Sequence, residues 1–74
     1  MKIKVVGYRI VEEVYEVDDD YAILANDEWV DEHGNEYYEL ANALVSKCDE
    51  LAGDPFEGIV SISTLDDKIM VEDY

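Results

Sequence analysis

Tyr37-Tyr38-Glu39-Leu40-Ala41-Asn42-Ala43-Leu44-Val45-Ser46-Lys47-Cys48-Asp49-Glu50-Leu51-Ala52 is the stretch on which the fold turns. Tyr37, Leu40, Ala41, Leu44, Cys48 and Leu51 recur at spacings of three and four, while Glu39, Asn42, Ser46, Asp49 and Glu50 take the other side. That period gathers one apolar stripe along an α-helix. Asn35 is a candidate N-cap, Glu36 and Glu39 suit the positive end of the helix dipole, and Gly53 with Pro55 ends the helix. The stripe needs a second layer to cover it.

The flanking sequence supplies that layer as strands. Lys2–Val17 is rich in β-branched residues and broadly alternates, with Ile3 and Val5 in one phase and Val6, Tyr8, Ile10 and Val14 in the other. Gly7 lies at the switch, so the pattern predicts one long strand bent or bulged near Gly7, and again at Glu12-Glu13. Asp18-Asp19-Asp20 reads as a turn, with Tyr21–Ala25 returning as a second strand that sets Val17 against Tyr21 and Tyr15 against Ile23. Gly58–Leu65 and Lys68–Glu72 form a hairpin around Asp66-Asp67.

Asp27–Tyr38 admits two readings. A turn at His33-Gly34 would pair Val30 with Tyr37 and Trp29 with Tyr38, but it would also oppose Asp31 and Glu36. The alternative is an acidic loop that leads straight into the helix. The expected fold class is α+β: an antiparallel sheet of four or five strands with one helix, about residues 37–52, packed on one face, in a single acidic domain spanning 1–74. There is no internal repeat, linker or low-complexity tract.

A domain of this size buries only about 60% of the surface its unfolded chain exposes, so its stability should be modest. Twenty acids against five bases give a formal charge of -15, which adds self-repulsion that salt should relieve. Solubility alone asks for a magnitude of roughly 2–8. Disorder is disfavoured by an apolar content of 49% that includes nine Val and six Ile. Adaptation to high salt would spread the acids and replace Lys, yet four of the five bases are Lys and three bases, Lys2, Lys4 and Arg9, fall in the first nine residues. An ordinary acidic globular protein with no electrostatic purpose is the remaining alternative.

Catalytic and metal chemistry lack parts. His33 is the only histidine, so any mechanism needing a His pair, or a nucleophile with a His base, lacks parts, and a His in a Gly-containing turn reads as solvated. Cys48 has Asp49 and Glu50 beside it, which oppose thiolate formation, and reads as a buried apolar group. Paired carboxylates are too abundant to single out an acid/base couple. The alternating Asp loop that wraps calcium is absent, leaving Asp18-Asp19-Asp20 only weak calcium ligation, and zinc has no ligand set. Direct nucleic-acid binding would need the opposite charge. We therefore expect no enzyme activity, no cofactor and no metal. The single cysteine fits a reducing cytoplasm, and no apolar run has signal-peptide or membrane-span length.

What stands out is a single-sign field. Between Ile10 and Ser46 lie twelve carboxylates (Glu12, Glu13, Glu16, Asp18, Asp19, Asp20, Asp27, Glu28, Asp31, Glu32, Glu36 and Glu39) and no Lys or Arg. Such a surface repels nucleic acid and anionic membranes and attracts basic grooves. At one duplex charge per roughly 1.7 Å, twelve carboxylates match about 20 Å of DNA. Tyr15, Tyr21, Trp29, Tyr37 and Tyr38 are interleaved with the acids; core packing accounts for most of them, and Trp29, between Glu28 and Asp31, is the expected exposed anchor.

In size, charge and interleaved aromatics the chain resembles the acidic nucleic-acid mimics of phages and mobile elements: anti-CRISPR proteins, anti-restriction proteins and uracil-DNA glycosylase inhibitors. The resemblance covers the character of the whole chain and includes no shared motif, so no residue role carries over. It implies a stoichiometric inhibitor without cofactor that occupies a DNA or RNA site, first among the options that of a CRISPR nuclease, in the cytoplasm of the host cell. On the residues themselves, Glu12, Glu13, Glu16, Asp18, Asp19, Asp20, Asp27, Glu28, Asp31 and Glu32 are the candidates to meet Arg and Lys of a basic nucleic-acid-binding protein, with Trp29 as anchor. The alternative is an acidic adaptor or antitoxin-like regulator of a basic protein, and an exposed sheet edge or Tyr-rich face would allow a homodimer.

Overall fold

A computed structural model describes residues 1–8, 12–53 and 58–72. Strands β1 (Lys2–Gly7), β2 (Glu12–Glu16), β3 (Ile59–Thr64) and β4 (Ile69–Glu72) form one antiparallel sheet in the order β2-β1-β3-β4. Between β2 and β3 run a 3-10 helix (Asp19–Ala25), helix α1 (Asp27–Glu32) and helix α2 (Gly34–Ala52). The α+β class and the long helix against the sheet agree with the sequence pattern.

Helix α2 forms where the stripe requires. Ala41, Leu44 and Cys48 are fully buried against Ile3 and Val5 of β1 and Ile62 of β3, inside one core that Leu24, Ile59, Met70 and Val71 complete. Gly53 ends α2 in the left-handed region (φ 80°), which glycine adopts without Cβ strain. Pro55, the other expected stop, lies outside the described residues. The helix starts at Gly34, earlier than expected, and His33 rather than Asn35 occupies its N-cap position, without a side-chain cap bond. Asn35 falls inside the first turn.

The expected long strand over Lys2–Val17 is instead a pair of strands. Lys2 pairs with Glu16, Ile3 with Tyr15 and Val6 with Glu12, so the chain reverses between Gly7 and Glu12; Ile10, assigned to that strand's second phase, lies outside the described residues. One six-residue strand already reaches across so small a core, and folding back doubles the ladder hydrogen bonds. The irregularity at Gly7 is present: the β1–β3 register shifts between Val6 and Gly7, which pair with Ser61 and Ile59 and pass over Val60. Tyr8 follows directly. Its amide bonds the Gly58 carbonyl at 3.1 Å, and its ring lies so close that a Cβ on Gly58 would collide with it.

Tyr21–Ala25 is not a strand. It does not join β2, which stays an edge strand; the segment coils into the 3-10 helix, buries Leu24 in the core and packs against β4 and α2. Asp18 starts it as N-cap, its side chain accepting from the Asp20 amide at 3.0 Å. Neither reading of Asp27–Tyr38 holds: there is no hairpin and no loop, since α1 runs into α2 with only His33 between them. Asn26 caps α1, its Oδ1 accepting from the Trp29 amide at 3.2 Å, and Asp27 and Glu28 sit at the positive end of that helix. Helical geometry also separates Asp31 from Glu36, which a hairpin would have opposed.

The β3–β4 hairpin forms around Asp66-Asp67 as expected, with Asp67 at φ 66°. Its register shifts after Ile62–Val71, leaving Met70 as an extra residue, and both Met70 and Val71 are buried.

Candidate acidic interface

Every one of the ten candidate carboxylates is exposed, as are Glu36 and Glu39. Glu12, Glu13 and Glu16 come from β2, an edge strand; Asp18, Asp19 and Asp20 from the start of the 3-10 helix; Asp27, Glu28, Asp31 and Glu32 from α1. Among the described residues, ion pairs reach only two of the ten: the N-terminal amine lies 3.3 Å from Glu16 and 2.8 Å from Asp19. The hydrogen bond to Asp19 raises the amine's pKa, and the same bond holds the Asp19 carboxyl below its usual value. Lys4 pairs with Asp67 at 2.6 Å and Lys47 lies 3.9 Å from Glu50, while Lys68 lines a hollow with Asp27 and Glu28.

The fold divides these acids into two groups. The β2 carboxylates and the start of the 3-10 helix lie at one edge of the sheet. Helix α1 lies toward the other, where Asp27 and Val30 share a hollow with Ile69, Met70 and Glu72. Three strand spacings separate β2 from β4, about 14 Å. The sheet register divides the β2 acids further: Glu12 and Glu16 share a face with Lys2, Lys4 and Val6, whereas Glu13 shares one with Val5.

Most of the interleaved aromatics pack on the core as expected, and Trp29 is the exception to its expected role. Trp29 is half-buried against the core and stacks on His33, ring centroids 5.1 Å apart and planes 15° apart, so it is not the exposed anchor. His33, expected as a solvated turn residue, is itself half-buried, with Nδ1 3.1 Å from the Trp29 carbonyl oxygen. Tyr15, Tyr21 and Tyr37 also pack against the core. Burial, reinforced by the charge of Glu13, raises the Tyr15 pKa. Among the described residues the exposed rings are Tyr38 at 65% and Tyr8 at 61%. Helical periodicity carried the signal for Tyr38, which lies one position off the Tyr37–Leu40–Leu44 seam.

Trp29 instead forms one wall of a surface hollow of about 320 Å³, completed by Glu36, Glu39, Leu40 and Ala43 of α2. The sequence placed Glu36 and Glu39 in the acidic field and at the dipole end of the helix, not beside Trp29; what brings them to Trp29 is the single-residue break at His33. Cys48 is fully buried and its thiol is pushed up to about 11, first by burial and then by Asp49. Among the described residues no group of three or more His, Cys, Asp or Glu side chains is placed to hold a metal ion, and no helix is long and apolar enough to cross a membrane. Compared with known protein families, curated proteins and solved structures, the chain matches none.

Proposed function

We propose that this chain is a stoichiometric protein inhibitor that imitates the charge of nucleic acid and occupies the basic DNA- or RNA-binding groove of a nucleic-acid enzyme, with a CRISPR nuclease as the first target to test. One observation carries the reading: ten candidate carboxylates, all exposed, of which eight lack an ion pair among the described residues. Asp18, which caps the 3-10 helix, is partly structural; exposed carboxylates without an ion pair are available to a partner. The longest dimension is 32 Å, over which a duplex bears about 19 charges. The chain's excess of 15 is of that order.

The division of the acids also supports a second reading, an acidic adaptor or antitoxin-like regulator that meets its basic partner with one group alone. Competition separates the two. With a target isolated at low salt and released at high salt, a mimic is displaced by duplex DNA or RNA at the same site, and charge reversal at either Asp18–Asp20 or Asp27–Glu32 slows association and flattens its salt dependence. A ternary complex of target, nucleic acid and this chain would refute mimicry and leave the adaptor.

A further inference from the structure

We propose that the hollow between α1 and α2 receives an arginine side chain of a protein partner. The inference rests on the basic-partner reading above and on a geometry that reading does not require. Glu36, Glu39, Leu40 and Ala43 fall at helical spacings that bring them onto one stripe of α2, and Trp29 of α1 closes that stripe into a hollow of about 320 Å³. The hollow is shallow and open, so a side chain presented from a partner surface can reach its floor. Its lining has two chemistries: Trp29, Leu40 and Ala43 are apolar or aromatic, and Glu36 and Glu39 are exposed carboxylates that no ion pair among the described residues engages.

That combination selects its occupant. An anion is repelled by the two carboxylates, and an apolar side chain would leave them unused. A lysine ammonium satisfies the charge but is a compact, strongly hydrated ion that resists contact with the indole and Leu40. Arginine fits both chemistries, because its stem lies on apolar surface while its planar, weakly hydrated guanidinium can stack on an aromatic ring and fork to carboxylate oxygens.

The chain's only tryptophan makes the site directly observable. The intact protein is titrated at fixed ionic strength with N-acetylated, C-amidated tetra-arginine and tetra-lysine, following Trp29 emission and amide chemical shifts. Tetra-arginine should shift Trp29 emission and bind several-fold more tightly than tetra-lysine. The Glu36→Gln/Glu39→Gln variant should lose about tenfold in tetra-arginine affinity, and Trp29→Phe, followed by amide shifts, about 2- to 5-fold. Glu12→Gln/Glu13→Gln, which removes the same charge at the opposite edge, should lose far less. Ala43→Gln, which fills the hollow and leaves the charge unchanged, should abolish the preference for arginine.

Equal losses from the two Glu-to-Gln pairs, equal binding of the two peptides, or a silent Trp29 would overturn the proposal. So would a concentration-dependent Trp29 shift without peptide, which would mean a second copy of the chain fills the hollow. No nucleic acid enters this experiment, so a seated tetra-arginine survives the failure of mimicry, and an empty hollow leaves the competition test intact.

Discussion

Asn26 is the smallest part on which the acidic helix depends, and its replacement gives a sharp measurement. Its backbone amide closes the 3-10 helix on the Ile23 carbonyl at 3.0 Å, and its side chain accepts from the Trp29 amide at 3.2 Å to open α1. Helix α1 has only six residues, far below the ~12–15 at which an isolated helix becomes even marginal, so cap and packing must hold it. Asn26→Ala removes the acceptor and leaves the Trp29 amide without its capping partner, at a cost of about 1 kcal/mol within a range of roughly 0.5–2. With a urea dependence of about 1 kcal/mol per molar for a chain this small, the unfolding midpoint should fall by about 1 M. Trp29 emission should respond before the far-ultraviolet circular dichroism does, because the loss is centred on α1. The same exchange at Asn42, exposed inside α2, should raise the midpoint by up to about 0.7 M, since alanine is the better helix former. Asn26→Asp, which keeps the acceptor, should stay within about 0.5 kcal/mol of the parent. If Asn26→Ala and Asn42→Ala move the midpoint in the same direction, or if Asn26→Asp fails like alanine, the cap does not hold α1.

Leu44→Ala, in the fully buried seam of α2, should cost about 2–5 kcal/mol of a total near 4–11, whereas Leu51→Ala, 42% exposed on the same helix, should cost under about 1; urea titration of both distinguishes them. Cys48 should react with a thiol reagent at pH 8 only as fast as the protein opens and at once in denaturant, because burial pushes its thiol up to about 11; rapid native labelling would show that the α2–sheet seam is open. Asp66 is held below its ordinary 3.8 mainly by the Thr64 hydroxyl, so its stabilisation is complete above that value and is lost as pH falls through the lower folded-state pKa. Asp66→Asn should therefore lower the urea midpoint at pH 6 and converge with the parent in strong acid, and a constant gap across that range would contradict the assignment. Sodium chloride should raise the melting temperature through the first few hundred millimolar, in proportion to the unrelieved charge; a flat response would mean that -15 carries little folding penalty.

Local pattern sufficed wherever an element's own period dictated its partner. The seam of α2 announces a helix whatever it packs against, and the β3–β4 hairpin follows from two β-rich runs around Asp66-Asp67. Charge, exposure of the acids and burial of Cys48 were equally local properties. The middle of the chain was not legible in this way. Tyr21–Ala25 has a composition that a strand would accept, yet it leaves the edge strand β2 unextended and coils instead, with Asp18 as its cap and Leu24 in the core. Trp29 and Val30 satisfy a hairpin on paper, yet helical capping by Asn26 and the stack on His33 win. The sheet still has four strands because the single strand expected over Lys2–Val17 divided in two while Tyr21–Ala25 dropped out.

The chain's own letters determined the sign and density of its charge, the helix of the covering layer and the C-terminal hairpin, because composition and periodicity are properties of neighbouring residues. Where the acids lie relative to one another was decided in three dimensions. Strand pairing is a competition for a limited number of edges, and its outcome sent Glu12, Glu13 and Glu16 to one side of the sheet and α1 toward the other. The same folding drew Trp29 inward beside Glu36 and Glu39, a proximity created by a helix break at His33 that no single residue's pattern encodes.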